Sequence, residues 1–187
     1  MRTATASSHE RLDHEMRSAS GWGTHADYAR FLGLQYGARL PVERWLSTHA
    51  RDWLRPPEQC ALIARDLDNL DAEAPEPGAA FRIAPEAGSG REAQALGVAW
   101  VLAGSSLGNR AIVSELARKG RGHWPKAFLG DPAMLAFWKR LRPSIEVPAD
   151  ASTIASASRA AVAVFDHFIA HAASATGEPQ RRAAIVS

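Results

Sequence analysis

From Arg91 to Arg118 the chain places apolar residues at helical spacing and is rich in helix formers, yet Gly97, Gly104 and Gly108 interrupt it. A glycine in a helix interior costs about 1 kcal/mol relative to alanine, so three cost about 3 kcal/mol. Steps of seven and four residues put all three glycines on one helix face, with Val101 lying between the first two. That face has no Cβ atoms, and the small Ser105 and Ser106 stand beside it. It suits either a second helix packed against small residues or a flat ligand brought close to the backbone. It also permits a kink. A ligand would need a second wall elsewhere in the chain.

The remainder of the chain bounds the possibilities. Its 187 residues fit one domain with a substantial core. A net charge of +2 is too small to argue for a nucleic-acid partner. A single cysteine, Cys60, excludes an internal disulfide and a cysteine-rich metal site. The N-terminus is polar and has no apolar signal core. The longest mostly apolar run, Ala95 to Leu107, is short for a bilayer span and holds two serines. These features point to a soluble cytoplasmic protein that uses no membrane.

Helical periodicity recurs along the chain, and no strand-like alternation competes with it. Residues 2–17 read as a first helix carrying His9 and Leu12. Thr24 caps a second helix that runs to Arg39, and Pro41 opens a third that runs to about Leu54. Residues 58–70 form another amphipathic helix. Residues 72–90 are a long loop, with a short ordered piece at 81–83. After the glycine-bearing helix, Gly120 to Pro125 break the pattern. Asp131 caps a helix with Pro132 at its first position, and Pro143 and Pro148 mark a second loop. The last helix starts at Asp150 or Ser152 and ends near Ala173. The expected fold is all-α, with about seven helices in one domain over residues 1–175 and a flexible, polar tail over 176–187.

Among the seven histidines, His9 has Asp13 one turn later on the same helix. A carboxylate bonded to one ring nitrogen fixes the tautomer and leaves the other nitrogen as a more basic metal ligand. His167 and His171 share the same spacing, but no CxxC or intervening Glu completes a zinc site, so they read as helix-end histidines. Gly104-Ser-Ser-Leu-Gly108 matches the Gly-x-Ser-x-Gly nucleophile motif around Ser106. That motif needs a strand before the serine, and the run here is helical. Cys60 has no histidine nearby in sequence and reads as core, and most tryptophans read as core or groove lining. A histidine backed by a carboxylate and a glycine-lined helix would, packed across from each other, make a slot for an iron porphyrin.

At His9-Glu-Arg-Leu-Asp13 and Trp100-Val-Leu-Ala-Gly-Ser-Ser-Leu-Gly108 the chain resembles the heme oxygenases. The likeness is strongest to the bacterial, biliverdin-producing branch associated with phytochromes, and it extends to about residue 173. The resemblance implies a helical bundle with heme sandwiched between a proximal and a distal helix. It makes His9 the iron ligand and Asp13 the partner of its ring. Gly104, Ser105 and Gly108 take the distal catalytic positions, with Trp100 and Val101 lining the heme. Arg2, Lys139 and Arg142 stand where the family places propionate contacts, with Arg140 in the same segment. Trp100 replaces a usual tyrosine, and an indole donates a hydrogen bond but accepts none. Ser105 stands where the animal enzymes carry a distal aspartate, which bacterial relatives also lack.

The implied reaction consumes O2 and electrons from an external donor, a ferredoxin or a flavin reductase. It cleaves heme, at once substrate and cofactor, to biliverdin, CO and ferrous iron. A bacteriophytochrome is the implied user of biliverdin. The alternatives are a non-catalytic heme carrier or sensor of the same fold, and a helical domain whose glycine face packs protein alone.

Overall fold

The computed structural model describes residues 2–19, 22–86 and 89–185, with side chains described within 5–12, 14–15, 22–86 and 90–175. Six α-helices follow in order: α1 Arg2–Ala19, α2 His25–His49, α3 Cys60–Asp68, α4 Ser89–Arg118, α5 Pro132–Glu146 and α6 Ala151–Ile185. A short 3-10 turn, Asp52–Leu54, follows α2. Among the described residues there is no strand, so the fold is all-α.

The helix starts are set by side-chain caps. The Thr24 hydroxyl accepts from the Asp27 amide, and the Asp27 carboxylate accepts from the Thr24 amide, so the start of α2 is closed from both directions. The Asp131 carboxylate accepts from the amides of Ala133 and Met134 at the start of α5. Asp150 accepts from the Thr153 amide at the start of α6.

Three boundaries differ from the sequence expectation. α2 does not stop at Arg39 but runs through Pro41 to His49, merging two expected helices. A proline inside a helix supplies no N–H to the carbonyl four residues earlier. Here that carbonyl belongs to Gly37, and it accepts instead from the Gly78 amide in the following loop at 2.9 Å. Pro143 lies inside α5 rather than opening a loop, and α5 ends at Glu146. The carbonyl it leaves without an amide is that of Lys139, an exposed residue that water can serve. α6 continues past Ala173 to Ile185.

α6 is the organising helix, with α4, α1 and α2 all packed along it, while α5 packs on α4 and α3 on α2. One core cluster joins Val98, Ala99, Leu102 and Ala103 of α4 to Phe137 of α5 and to Ala160 and Val164 of α6. Phe81, from the long loop, is buried in the same cluster, so the expected ordered piece is an anchor. A second cluster joins Tyr28, Phe31 and Leu32 of α2 to Ile63, Leu67, Leu116 and Phe128. Asp66 of α3 accepts from the amides of Ala127 and Phe128 at 2.8 and 2.9 Å, fixing the segment between α4 and α5. Among the described residues, α4 is the one helix long and apolar enough to cross a membrane, beyond what the Ala95–Leu107 run suggested. Val98, Ala99, Leu102 and Ala103 of this helix are buried in the core, whereas Leu107 is exposed.

Candidate functional site

Gly97, Gly104 and Gly108 of α4 share a face but meet different surroundings. Gly97 is buried against α6, and a Cβ built there would lie 2.1 Å from the Ala157 carbonyl oxygen. At this position the close-packing reading holds: the glycine lets two helices touch. Among the described residues, a Cβ at Gly104 would meet only the Trp138 ring of α5, with the nearest atom at 3.8 Å. A Cβ at Gly108 would meet no heavy atom within 4 Å among the described residues. Next to it, Leu107 is one of the few large apolar side chains left exposed. Helix packing therefore demands glycine at position 97, whereas a Cβ would fit at Gly104, beside Trp138, and at Gly108. Trp100, Val101 and Trp138 pack half-buried on the adjoining core.

α1 and α4 both pack on α6 and make no extensive contact with each other among the described residues. His9 stands exposed on α1. Its ring meets Phe165 of α6 edge-to-face, with centroids 5.8 Å apart. The side chains of Arg2 and Asp13 lie outside the described residues. Lys139 and Arg142 are exposed on α5. Arg142 pairs with Glu146 one turn on at 2.7 Å, and Arg140 lies over the Phe137 ring.

The remaining candidates have structural roles. The Ser106 hydroxyl is buried and donates to the Ala103 carbonyl in the middle of a helix, where no nucleophile elbow exists. Cys60 is buried, and burial with Glu43 nearby pushes its thiol well above the usual range, which keeps it protonated and inert. His167 and His171 do not sit at a helix end, because α6 runs on beyond them. The His171 ring is wedged between two glycines: Cβ atoms at Gly37 and Gly78 would lie 2.5 and 2.6 Å from its nitrogens. His167 Nε2 lies 3.0 Å from the Ala38 carbonyl, so that nitrogen carries the proton. Burial lowers the basicity of both rings. Trp53 is exposed rather than core.

Arg39 was not flagged by its local sequence, and it is the largest fully buried side chain. Its Nη2 donates to Ser105 Oγ at 3.0 Å, and the Ser105 hydroxyl donates to the Leu102 carbonyl at 2.7 Å. Burial lowers the Arg39 pKa from its ordinary value and the Glu43 carboxylate opposes that shift. A guanidinium stays charged under such conditions. A signal was nevertheless present. Arg39 lies seven residues from both Leu32 and Leu46, on the stripe that α2 buries.

The residue types suit an iron porphyrin. An exposed imidazole can reach a metal, and a helix face without side chains can approach a flat macrocycle. Exposed cations at Lys139 and Arg142 can meet its carboxylates. No protein-family model matches the chain, and no curated protein matches it.

Proposed function

We propose that this chain is a heme oxygenase that opens heme to biliverdin, CO and ferrous iron. The observation that carries the reading is the divided glycine face of α4. Gly97 is filled by α6, whereas at Gly108, beside the exposed Leu107, a Cβ would meet no heavy atom of the described residues within 4 Å. An apolar, side-chain-free surface of that kind favours a flat apolar ligand. The resemblance at His9 to Asp13 and at Trp100 to Gly108 supplies the rest of the assignment.

Bound heme would supply the redox iron and would itself be the skeleton opened by O2 and the donor's electrons. His9 would hold the iron through one ring nitrogen, with Phe165 against the ring restricting its rotation. Gly104 and Gly108 would let the backbone of α4 approach the macrocycle closely. The Ser105 hydroxyl donates to Leu102, so its proton is already committed to the backbone of its own helix. Lys139 is exposed for a propionate, whereas Arg142 would have to leave Glu146 to reach one. The same cations offer an acidic ferredoxin or a flavin reductase a docking rim. A bacteriophytochrome is the proposed user of the product.

A heme carrier of the same fold is the second reading, favoured by the commitment of the Ser105 hydroxyl to its own helix. Absorption spectroscopy with added hemin, then with reduced ferredoxin under air, separates the two. A histidine-type Soret band that decays as a broad red biliverdin band grows supports the oxygenase. A stable Soret band with a competent donor supports the carrier. If wild-type protein develops no Soret band, both heme readings fail.

A further inference from the structure

Arg39 Nε and Nη1 have no hydrogen-bond partner among the described residues, and Gln59 Oε1 is a third buried polar atom in the same condition. The carboxylate nearest Arg39 belongs to Glu43, and it stands 4.0 Å from Nη1. That carboxylate accepts instead from the amides of Gln59 and Cys60, at 2.9 and 3.4 Å, where α3 begins. Phe128 lies under the guanidinium, 5.2 Å from centroid to Cζ. The one directed hydrogen bond of Arg39 therefore goes to a neutral hydroxyl, that of Ser105.

A buried charge held this way is an expensive arrangement if its task is packing alone, because a carboxylate in direct contact would stabilise it better. The hydroxyl belongs to the residue that follows Gly104, and its own proton goes to Leu102. The orientation is fixed: Ser105 accepts from Arg39 and donates to the backbone of α4. Arg39 thereby ties α2 to the turn of α4 that leads into Gly104 and Gly108.

We infer that Arg39, acting through Ser105, is a positioning residue of the proposed heme site, holding the Gly104–Gly108 segment in place and making the ligand side of the heme electropositive. The inference rests on the heme reading. Arg39 touches neither iron nor porphyrin in this account. A fixed positive charge in a poorly screened interior favours a small anion over a neutral molecule of similar size.

The test compares two ligands of the hemin complex of the full chain: fluoride on the ferric form and carbon monoxide on the ferrous form. Arg39→Met removes the charge at similar volume, Arg39→Lys keeps it, and Ser105→Ala removes the link. The expected result for Arg39→Met is fluoride affinity lower by about tenfold, the effect of one charge across a protein interior. Carbon monoxide affinity should change by less than about threefold, since a neutral ligand senses that charge weakly. Arg39→Lys should retain most of the fluoride affinity. Ser105→Ala should weaken fluoride in the same direction and serves if Arg39→Met does not fold.

Fluoride affinity unchanged in the charge-removed variant, or fluoride and carbon monoxide weakened alike, overturns the inference while leaving the heme reading standing. A wild-type chain that forms no hemin complex removes the heme reading, and the inference with it.

Discussion

Gly97 of α4 meets the backbone of Ala157 of α6 so closely that a single added carbon would lie 2.1 Å from the carbonyl oxygen. The obstructing atom is main chain within α6, so it cannot swing aside as a side chain could. Gly97→Ala should therefore push the two helices apart and destabilise the fold by about 1–3 kcal/mol, the usual range for overpacking. Urea denaturation of the apo protein checks this, and a midpoint equal to wild type would show that the crossing can relax.

Gly108 should behave in the opposite sense. With no heavy atom of the described residues within 4 Å of a Cβ there, alanine brings only helix propensity, worth about 0.5–1 kcal/mol of added stability in the apo protein. The same methyl group would stand on the face proposed to lie over heme. Gly108→Ala should thus raise the denaturation midpoint while weakening hemin binding. Unchanged hemin affinity would remove this face from the site.

His9→Ala should separate ligand binding from folding. The ring is exposed, so the apo melting curve should shift by less than about 1 kcal/mol equivalent. The histidine-type spectrum of the hemin complex should disappear. If spectrum and turnover both survive, another residue holds the iron.

Asp66 tests the anchoring of the 120–130 segment. It is buried and accepts two amides, from Ala127 and Phe128. Asp66→Ala leaves both donors without that acceptor and should cost about 2–4 kcal/mol, at about 1–3 kcal/mol per buried amide left unpaired with some relaxation. The loss should appear in the equilibrium unfolding of the apo chain.

His167 and His171 predict a pH dependence. Burial lowers both pKa values in the folded state, so on acidification the unfolded chain takes up their protons first. The stability they contribute is complete above about pH 6.5, the ordinary value for histidine, and is lost as pH falls toward their folded pKa values. The melting temperature should fall between about pH 7.5 and 5.5, and fall less in a His167→Asn/His171→Asn double variant. Equal slopes in the two proteins would assign the effect elsewhere.

What the sequence revealed and what it concealed follow one physical division. Caps are local, so Thr24, Asp131 and Asp150 mark helix starts that the structure reproduces. The apolar spacing of α4 was equally legible, and so was the oddity of its glycines. Which glycine faces a helix and which faces space depends on α6, more than forty residues away in sequence, and no local pattern contains that. Pro41 reads as a helix start because its missing N–H is harmless there. It lies mid-helix because Gly78, far along the chain, serves the carbonyl it abandons. Arg39 stands at the expected end of the second helix. Only the spacing from Leu32 to Leu46 hinted that this face turns inward.

The bond from Gly78 to Gly37 also bears on the order in which the chain assembles. The two halves of α2 can each begin to wind from local contacts, but the junction between them lacks a bond until the loop after α3 arrives. His171, which fills the space between the two glycines, comes from α6, more than ninety residues further along the chain than Gly78. The middle of the second helix therefore closes late, when the C-terminal part of the chain docks. Conformations stalled before that step would carry a hinge at Pro41 that the native protein does not show.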